Sequence, residues 1–278
     1  MVLESFSKIN LSLKVNKKFK NGLHDIQSFY CLINLSDKIK IFKIKIKKDK
    51  IYFNGTFSKL VNKNNNTVSK LLKLLRSLKL IKSYYSVTIS KNIPVFAGLG
   101  GGTSNAAFIL NYLLNKKISD NLLKKIESKI GSDLRLFFEK KGFLKSLGST
   151  TEIKLKQKLF FVLVQPKIKC STKLIYSKVK NYSKKDQFGI NKTITFTKYL
   201  NYILKSRNDL QFIVEKKYPL VKKLLTSIQN ERGCHISRMT GSGSVCYGLF
   251  KNQIDARKAL FNLKIKYPNL WVSFAKTV

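Results

Sequence analysis

Residues 94–110 read PVFAGLGGGTSNAAFIL and place four glycines within the five residues 98–102. A glycine cluster is costly to order, so it indicates backbone angles with φ > 0 or a close approach of another group to the main chain. The preceding stretch Tyr84–Ser90 alternates and is rich in β-branched and aromatic residues, which predicts a strand. Residues 103–105 are good helix starters, and the apolar residues behind them recur with helical spacing. The sequence therefore predicts a strand, a glycine loop and a helix in succession.

This glycine loop, residues 98–102, is typical of a phosphate site rather than of an ordinary turn, which needs one or two glycines. The N-terminus of a helix carries unpaired N–H groups and partial positive charge, and both favour an anion. A P-loop is excluded because no lysine follows the glycines. A G-x-G-x-x-G dinucleotide fingerprint is disfavoured, since its last glycine would fall on Thr103 or Asn105.

The composition sets outer limits on the class of protein. With 278 residues, 44% of them hydrophobic, we expect two domains that meet in the polar stretch 150–158. The N-terminal MVLESFSKIN has neither a basic leader nor an apolar signal core, and no apolar run approaches a membrane span. We therefore expect a cytoplasmic protein without a membrane span. The four cysteines are scattered, which disfavours a zinc site or a disulfide framework.

The net charge of +41 would ordinarily suggest a nucleic-acid partner. The lysines are dispersed along the chain, however, and in residues 38–48 they alternate with Ile and Phe as on a strand with a solvated basic face. We therefore expect no specific nucleic-acid partner, although the positive field would attract anionic substrates. Helices are predicted over 68–81 and 255–267 and strands over 159–164, 245–250 and 271–276, which is an α+β pattern.

Five stretches occur in the order and spacing of the GHMP small-molecule kinases: SFSKINLSLKV, GLHDIQS, PVFAGLGGGTSNAA, GSDLRLFF and RMTGSGS. From Ser5 onward the chain most resembles the members that phosphorylate cytidine diphosphate methylerythritol in the non-mevalonate isoprenoid pathway. This resemblance implies a two-domain α+β fold. Residues 1–152 would form a ribosomal-protein-S5-like α/β domain and residues 153–278 a ferredoxin-like α+β domain, with the active site in the cleft between them.

The resemblance implies that Lys8 and Asp133 are the catalytic pair. Asp133 would accept the proton of the substrate's 2-hydroxyl, while Lys8 would keep Asp133 ionised and offset charge on the transferred phosphoryl group. The structural alternatives are an Asp133 that caps a helix and a Lys8 that is solvated. Arg135 stands where the family usually has proline, which leaves the local turn geometry open.

The resemblance also implies ATP as co-substrate, with Mg²⁺. Backbone N–H groups would wrap the phosphates, and the Thr103 and Ser104 hydroxyls would lie near the β and γ oxygens, with Ser104 the candidate contact to Mg²⁺. The late loop TGSGS, residues 240–244, would support the glycine loop. The ATP-binding candidates are Pro94, Val95, Phe96, Ala97, Gly98, Leu99, Gly100, Gly101, Gly102, Thr103, Ser104, Gly241, Ser242 and Gly243.

Asn10 and His24 match family positions that bind the methylerythritol and cytidine parts of the substrate. A neutral histidine both donates and accepts hydrogen bonds, as the edge of cytosine requires. Leu23 stands where the family usually has an aromatic residue, so Tyr176 is expected to supply most of the stacking on the base.

Other functions are compatible with parts of the sequence. A mevalonate or homoserine kinase would share the glycine loop, but it should not carry both SKINL and the G-x-H motif. A non-catalytic relative should lose Lys8 or Asp133, and a nucleic-acid-binding module should gather its lysines on one face. Asn208 and Asp209 are interpreted as helix-starting residues. We expect a monomer or a homodimer.

Overall fold

The computed structural model describes residues 1–115, 118–187 and 193–278. Its strands are β1 (Val2–Asn10), β2 (Lys14–Lys18), β3 (His24–Ile44), β4 (Lys50–Asn54), β5 (Tyr84–Ser90), β6 (Lys141–Ser146), β7 (Ser149–Glu152), β8 (Phe160–Gln165), β9 (Cys234–Met239), β10 (Cys246–Phe250) and β11 (Trp271–Lys276). Its α-helices are α1 (Thr67–Ser77), α2 (Gly101–Leu113), α3 (Asp120–Ile130), α4 (Thr172–Tyr176), α5 (Phe196–Lys205), α6 (Gln211–Lys217), α7 (Pro219–Gln229) and α8 (Gln253–Lys266).

The predicted α+β class and the strand, glycine loop and helix order are confirmed. Two helix ends differ from prediction. Helix α1 ends at Ser77 rather than at residue 81, because Lys79 has a φ of 58°, a left-handed conformation that ends helices. Helix α2 begins at Gly101, ahead of the predicted 103–105, because Gly100 takes the N-cap position with a φ of 72°.

The chain divides into two compact units. The first comprises Met1–Lys8, Leu35–Val95 and Gly100–Phe138. In it the last part of β3 pairs antiparallel with β5, and β5 pairs parallel with β4. Helices α1 and α2 pack on each other, and α1 buries Val68, Leu71, Leu72 and Leu75, the spacing of one helix face.

The second unit comprises Ile9–Asn34, Phe96–Leu99 and Glu139–Val278. It contains an antiparallel sheet in the order β11, β8, β10, β9, on which α7 and α8 pack. The first part of β3 also lies in this unit, where it pairs with β2 and β6. The predicted strands β8, β10 and β11 and the predicted helix α8 are thus confirmed; β11 has the predicted bounds, and the ends of the others differ by at most two residues.

The lysine-rich strand has the alternation that the sequence predicts. Lys38 and Lys40 are exposed, whereas Ile39 and Ile41 are buried. These charges are therefore solvated on one face of a strand whose other face belongs to the core. Over the three described ranges, no helix combines the length and the apolar character that crossing a membrane requires.

Candidate active site

Lys8 and Asp133 form an ion pair in the first unit. Lys8 lies on β1, Asp133 precedes the 3₁₀-helix Leu134–Phe137, and the Lys8 Nζ lies 3.3 Å from the Asp133 Oδ2. The Lys8 side chain is 3% exposed and that of Asp133 is 33% exposed. Asp133 makes no side-chain capping bond, so neither the capping Asp133 nor the solvated Lys8 describes this structure. A buried ammonium is thus compensated by a carboxylate that a ligand can reach.

Gly100 lies directly against this pair. A Cβ atom at Gly100 would be 3.3 Å from the Lys8 Cε and 2.8 Å from the Phe137 Cζ. Gly100 is also the N-cap of α2 and, having no side chain, makes no capping bond to the helix N–H groups. The N–H groups of Gly101, Gly102 and Thr103 have no acceptor within the helix, as an anion site requires. The end of α2 and the Lys8–Asp133 pair therefore form one polar locus.

Ser104 has a structural role in place of the predicted phosphate contact. It is completely buried, its hydroxyl donates to the Phe6 carbonyl at 2.6 Å, and it lies 2.7 Å from the Ser5 hydroxyl. Its N–H bonds to the Gly100 carbonyl. The Ser104 side chain therefore attaches α2 to β1 and is not presented to phosphate or to Mg²⁺. In the described parts of the chain, no group of three or more His, Cys, Asp or Glu residues could hold a metal ion.

Two supports of the α2 N-terminus were not found from the sequence. The Thr67 hydroxyl donates to the Gly102 carbonyl at 2.6 Å. Lys91 forms a buried ion pair with Asp37, whose other oxygen accepts the Ile93 N–H at 2.9 Å. These residues lie outside the glycine motif, and Thr, Lys and Asp are common at such positions. No local motif therefore distinguishes them.

The segment Phe96–Leu99 packs on the late loop in the second unit, as expected. The Ser244 N–H donates to the Phe96 carbonyl, and the Val245 N–H donates to the Ala97 carbonyl. A Cβ at Gly98 would lie 2.2 Å from the Thr240 carbonyl oxygen, and its φ is +74°. Gly98 is therefore required by this contact as well as by its backbone angle.

The late loop joins the antiparallel strands β9 and β10, so it is also a hairpin connection. It is closely packed: a Cβ at Gly243 would lie 2.7 Å from the Met239 sulfur, and the Ser242 hydroxyl lies 2.9 Å from that of Thr172. The Asn208 amide donates to the Gly241 carbonyl at 2.8 Å, and the Asn208 Oδ1 accepts the Leu210 N–H at 3.0 Å, just before α6 begins at Gln211. The Asn208 side chain therefore holds the late loop in addition to the turn that leads into α6.

The predicted substrate residues also lie in the second unit. Asn10 is buried, its amide donates to the Ser28 hydroxyl at 2.8 Å, and its N–H donates to the Thr240 hydroxyl at 3.0 Å. The rings of His24 and Tyr176 are in contact, with centroids 4.9 Å apart. The structure therefore brings His24 and Tyr176 together.

The surroundings of His24 favour the neutral form of its imidazole. Burial, with a smaller contribution from the positive charge of Lys18, lowers the pKa of His24 below its ordinary value. The ring is therefore neutral at pH 7, with one nitrogen as donor and the other as acceptor.

Arg135, which replaces the usual proline, is anchored by carboxylates. Its Nε and one terminal nitrogen donate to the two Glu127 oxygens at 2.8 Å each, and Asp120 lies 3.3 Å from the other terminal nitrogen. The Arg135 and Glu127 side chains are only 7% and 9% exposed. This bidentate pair ties the segment after Asp133 to α3.

Replacing Arg135 by Leu should destabilise the protein by about 3–5 kcal/mol, because Glu127 would remain buried without its partner. Denaturant unfolding measures this effect. The double variant Arg135→Leu/Glu127→Leu should recover much of the loss, since apolar replacement of both partners removes the uncompensated charge. A double variant as unstable as the single one would show that the pair is not the cause.

Comparisons with known proteins agree with this geometry. The sequence profile described as GHMP kinases N terminal domain matches residues 66–135, and that described as GHMP kinases C terminal matches residues 195–269. The 4-diphosphocytidyl-2-C-methyl-D-erythritol kinase of Pelagibacter ubique (strain HTCC1062) is 39% identical over 282 residues, which cover 99% of this chain and 98% of that protein.

Solved structures show the same fold. A crystal structure of 4-(cytidine 5'-diphospho)-2C-methyl-D-erythritol kinase matches with a TM-score of 0.73 and 21% identity, covering 99% of both chains. Homoserine kinase from Cytophaga hutchinsonii ATCC 33406 matches with a TM-score of 0.70 and 15% identity, covering 100% of this chain and 94% of that one. The fold is thus shared among kinases with different substrates, and the sequence identity decides the family. The chain belongs to the 4-diphosphocytidyl-2-C-methyl-D-erythritol kinase family within the GHMP kinases.

Proposed function

We propose that this protein transfers the γ-phosphoryl group of ATP to the 2-hydroxyl of 4-diphosphocytidyl-2-C-methyl-D-erythritol, giving the 2-phosphate and ADP. The observation that carries the proposal is the Lys8–Asp133 pair at the N-terminus of α2. The full-length similarity to 4-diphosphocytidyl-2-C-methyl-D-erythritol kinase from Pelagibacter ubique supports the choice of substrate. Mevalonate and homoserine are not favoured as substrates, nor is a non-catalytic nucleic-acid-binding function.

The ion pair supplies the base and the positive charge that phosphoryl transfer needs. The oxygen of the substrate's hydroxyl group bonds to the γ-phosphorus of ATP, and its proton passes to the Asp133 carboxylate. The bond between the γ-phosphorus and the oxygen of the departing ADP breaks. Lys8, whose ammonium is buried, offsets negative charge on the transferred oxygens in a site where water screens little. The protein's part in the reaction is therefore to orient the two substrates and to hold one proton acceptor beside the hydroxyl.

The triphosphate is assigned to the glycine loop and the start of α2. Phosphate fits this locus because the end of α2 has no side-chain cap and Gly100 leaves room beside Lys8. We assign phosphate contacts to the Thr103 hydroxyl and to backbone N–H groups within residues 95–103, with the late loop supporting them. Mg²⁺ is proposed to enter with ATP, bound to its phosphates.

The cytidine substrate is assigned to Asn10, His24 and Tyr176. A neutral imidazole can both donate to and accept from the edge of cytosine, and the Tyr176 ring offers a stacking surface. Asn10, whose amide position is fixed by its bond to Ser28, is assigned to the methylerythritol part.

An ATP-consumption assay tests the proposed function. We expect ADP release with Mg-ATP and 4-diphosphocytidyl-2-C-methyl-D-erythritol, and much slower release with mevalonate or homoserine. Thermal shift with the same compounds and with a short oligonucleotide gives an independent reading of binding. Stimulation by mevalonate or homoserine but not by the cytidine substrate would overturn the assignment.

We further propose a cytoplasmic enzyme that acts as a monomer or a homodimer, without a specific nucleic-acid partner. Its kinase domains are proposed to span residues 1–152 and 153–278. Dispersion of the lysines over solvated faces, as on β3, supports the absence of a nucleic-acid surface.

A further inference from the structure

Helix α8 carries an apolar stripe on its outer face, formed by Ile254, Phe261 and Ile265. These side chains are 67%, 66% and 65% exposed, which makes them three of the four most exposed large apolar side chains in the described part of the chain. Seven and eleven residues are close to two and three helical turns, so the three side chains lie within about 40° of one another around the axis. Along the axis this α8 stripe is about 16 Å long.

The inner face of α8 accounts for its attachment to the protein. Ala256, Ala259 and Leu263 are buried, and the helix packs on β8, β10 and β11. A surface helix ordinarily carries polar residues on the face that points away from the core. Packing on the sheet therefore explains the inner face of α8 but gives no reason for the α8 stripe.

Basic side chains border the α8 stripe. By helical spacing, Arg257 and Lys264 lie on one side of the stripe and Lys258 lies on the other, and all three are exposed. The Arg257 guanidinium lies over the Phe274 ring, 4.8 Å from its centroid. The long apolar stems of these side chains allow their charges to lie beside an apolar surface while staying in a polar environment.

Two carboxylates on or beside α8 are already hydrogen-bonded. Asp255, in the first turn of the helix, accepts from the Asn252 amide at 2.9 Å. Glu231 accepts from the Asn262 amide at 2.9 Å. Neither is among the exposed residues, so the solvated charge around the α8 stripe is positive.

This surface is complementary in charge and in polarity to a bilayer that contains anionic phospholipids. Apolar side chains of an interfacial helix enter the boundary between headgroups and acyl chains, and Lys and Arg meet the phosphates. A second copy of the chain fits less well, because pairing two α8 faces would oppose like charges. A convex helix face offers no groove to a peptide, whereas a lipid surface needs none.

We propose that α8 lies on anionic membranes, with the α8 stripe inserted at the interface and the flanking basic residues against the lipid phosphates. The helix has 14 residues, fewer than the about 20 that are needed to span a bilayer, so the association is peripheral. This membrane contact is independent of the proposed kinase activity.

Co-sedimentation of the full chain with lipid vesicles tests the proposal. At physiological ionic strength we expect binding to vesicles of equal parts phosphatidylglycerol and phosphatidylcholine, and little binding to pure phosphatidylcholine. The triple variant Ile254→Gln/Phe261→Gln/Ile265→Gln should bind the anionic vesicles on the order of 10-fold more weakly, because interfacial affinity scales with buried apolar area. Glutamine is uncharged and a good helix former, so the net charge and the helix are retained.

Two matched controls separate the α8 stripe from the general charge of +41. Phe212→Gln removes an apolar side chain of α6 that is 73% exposed, and it should change vesicle affinity by less than about twofold. Lys258→Gln should weaken binding about fivefold, the contribution of one basic residue at an anionic surface. Lys40→Gln, at an exposed position of β3, should weaken it by less than about twofold.

Unchanged vesicle binding of the triple variant, or an equal loss in Phe212→Gln, would overturn the proposal and assign binding to general charge. A wild-type protein that does not bind anionic vesicles would overturn it as well. A dimer in sedimentation velocity that the triple variant dissociates would assign the α8 stripe to a second copy instead. Because the replaced side chains are exposed, each variant should melt at the temperature of wild type. Absence of ATP turnover in vesicle-free buffer would contradict only the proposed function.

Discussion

Replacing Asp133 by Asn should lower kcat by about 10²-fold or more, the usual contribution of a general base. Asn keeps the shape of the side chain but removes the charge that accepts the proton and pairs with Lys8 at 3.3 Å. Affinity for ATP should change little, because the proposed phosphate contacts lie on the glycine loop and α2. Steady-state kinetics and calorimetric titration with ATP measure the two effects separately.

Glu152→Gln is the control for this change. The Glu152 side chain is 32% exposed and its Oε2 lies 3.9 Å from the Lys154 Nζ, so its loss should leave kcat within about twofold, as expected for a surface ion pair. Lys8→Ala should be as damaging as Asp133→Asn, and the double variant should be no worse than either, because the two side chains act as a unit. Near-normal turnover of Asp133→Asn would assign the carboxylate a structural role only.

Gly100→Ala should lower kcat on the order of 10²-fold, the cost of misplacing a catalytic group by about 1 Å. The new methyl group would lie 2.8 Å from the Phe137 Cζ and 3.3 Å from the Lys8 Cε, so the Lys8 chain or the end of α2 must shift. The left-handed φ of 72° adds a strain of about 1–2 kcal/mol. ATP affinity should fall too, because the N-cap of α2 moves with the loop.

Gly22→Ala separates the effect of backbone strain from the effect of the steric clash with Lys8 and Phe137. Gly22 has a similar φ of +83°, but a Cβ atom there would meet nothing within 4 Å. It should therefore lose a similar amount of stability while keeping its kcat at saturating substrate. Kinetics and thermal melting of both variants provide the comparison, and equal kcat values for Gly100→Ala and Gly22→Ala would show that strain alone matters.

Much of the fold follows from local pattern. Alternation predicted β5 and the solvated face of β3, and helical spacing predicted α1, because a period of 2 or of 3.6 places apolar residues on one face. Helix ends were predicted less well. A single left-handed residue, Lys79 or Gly100, decides where a helix stops or starts, and its conformation depends on neighbours from elsewhere in the chain.

The glycine loop was likewise predicted only in part. Its sequence predicted an anion site at the start of a helix, but it did not show why each glycine is needed. Gly98 makes room for the Thr240 carbonyl and Gly100 makes room for Lys8. Gly101 does not have a left-handed φ, and a Cβ there would lie 3.0 Å from the Ile93 Cγ2. The need for each glycine is set by an atom distant in sequence.

The sequence by itself determined the fold class, the family and the residue types of the proposed catalytic pair, because these depend on ordered motifs and on periodicity. Tertiary structure alone decided that the Ser104 hydroxyl bonds to β1, that Arg135 pairs with Glu127, and that the His24 and Tyr176 rings are in contact. The physical reason is that hydrogen bonds, ion pairs and ring contacts act over a few ångströms in space. Residues in contact at these distances are often far apart in the sequence, so no local sequence pattern predicts the contact.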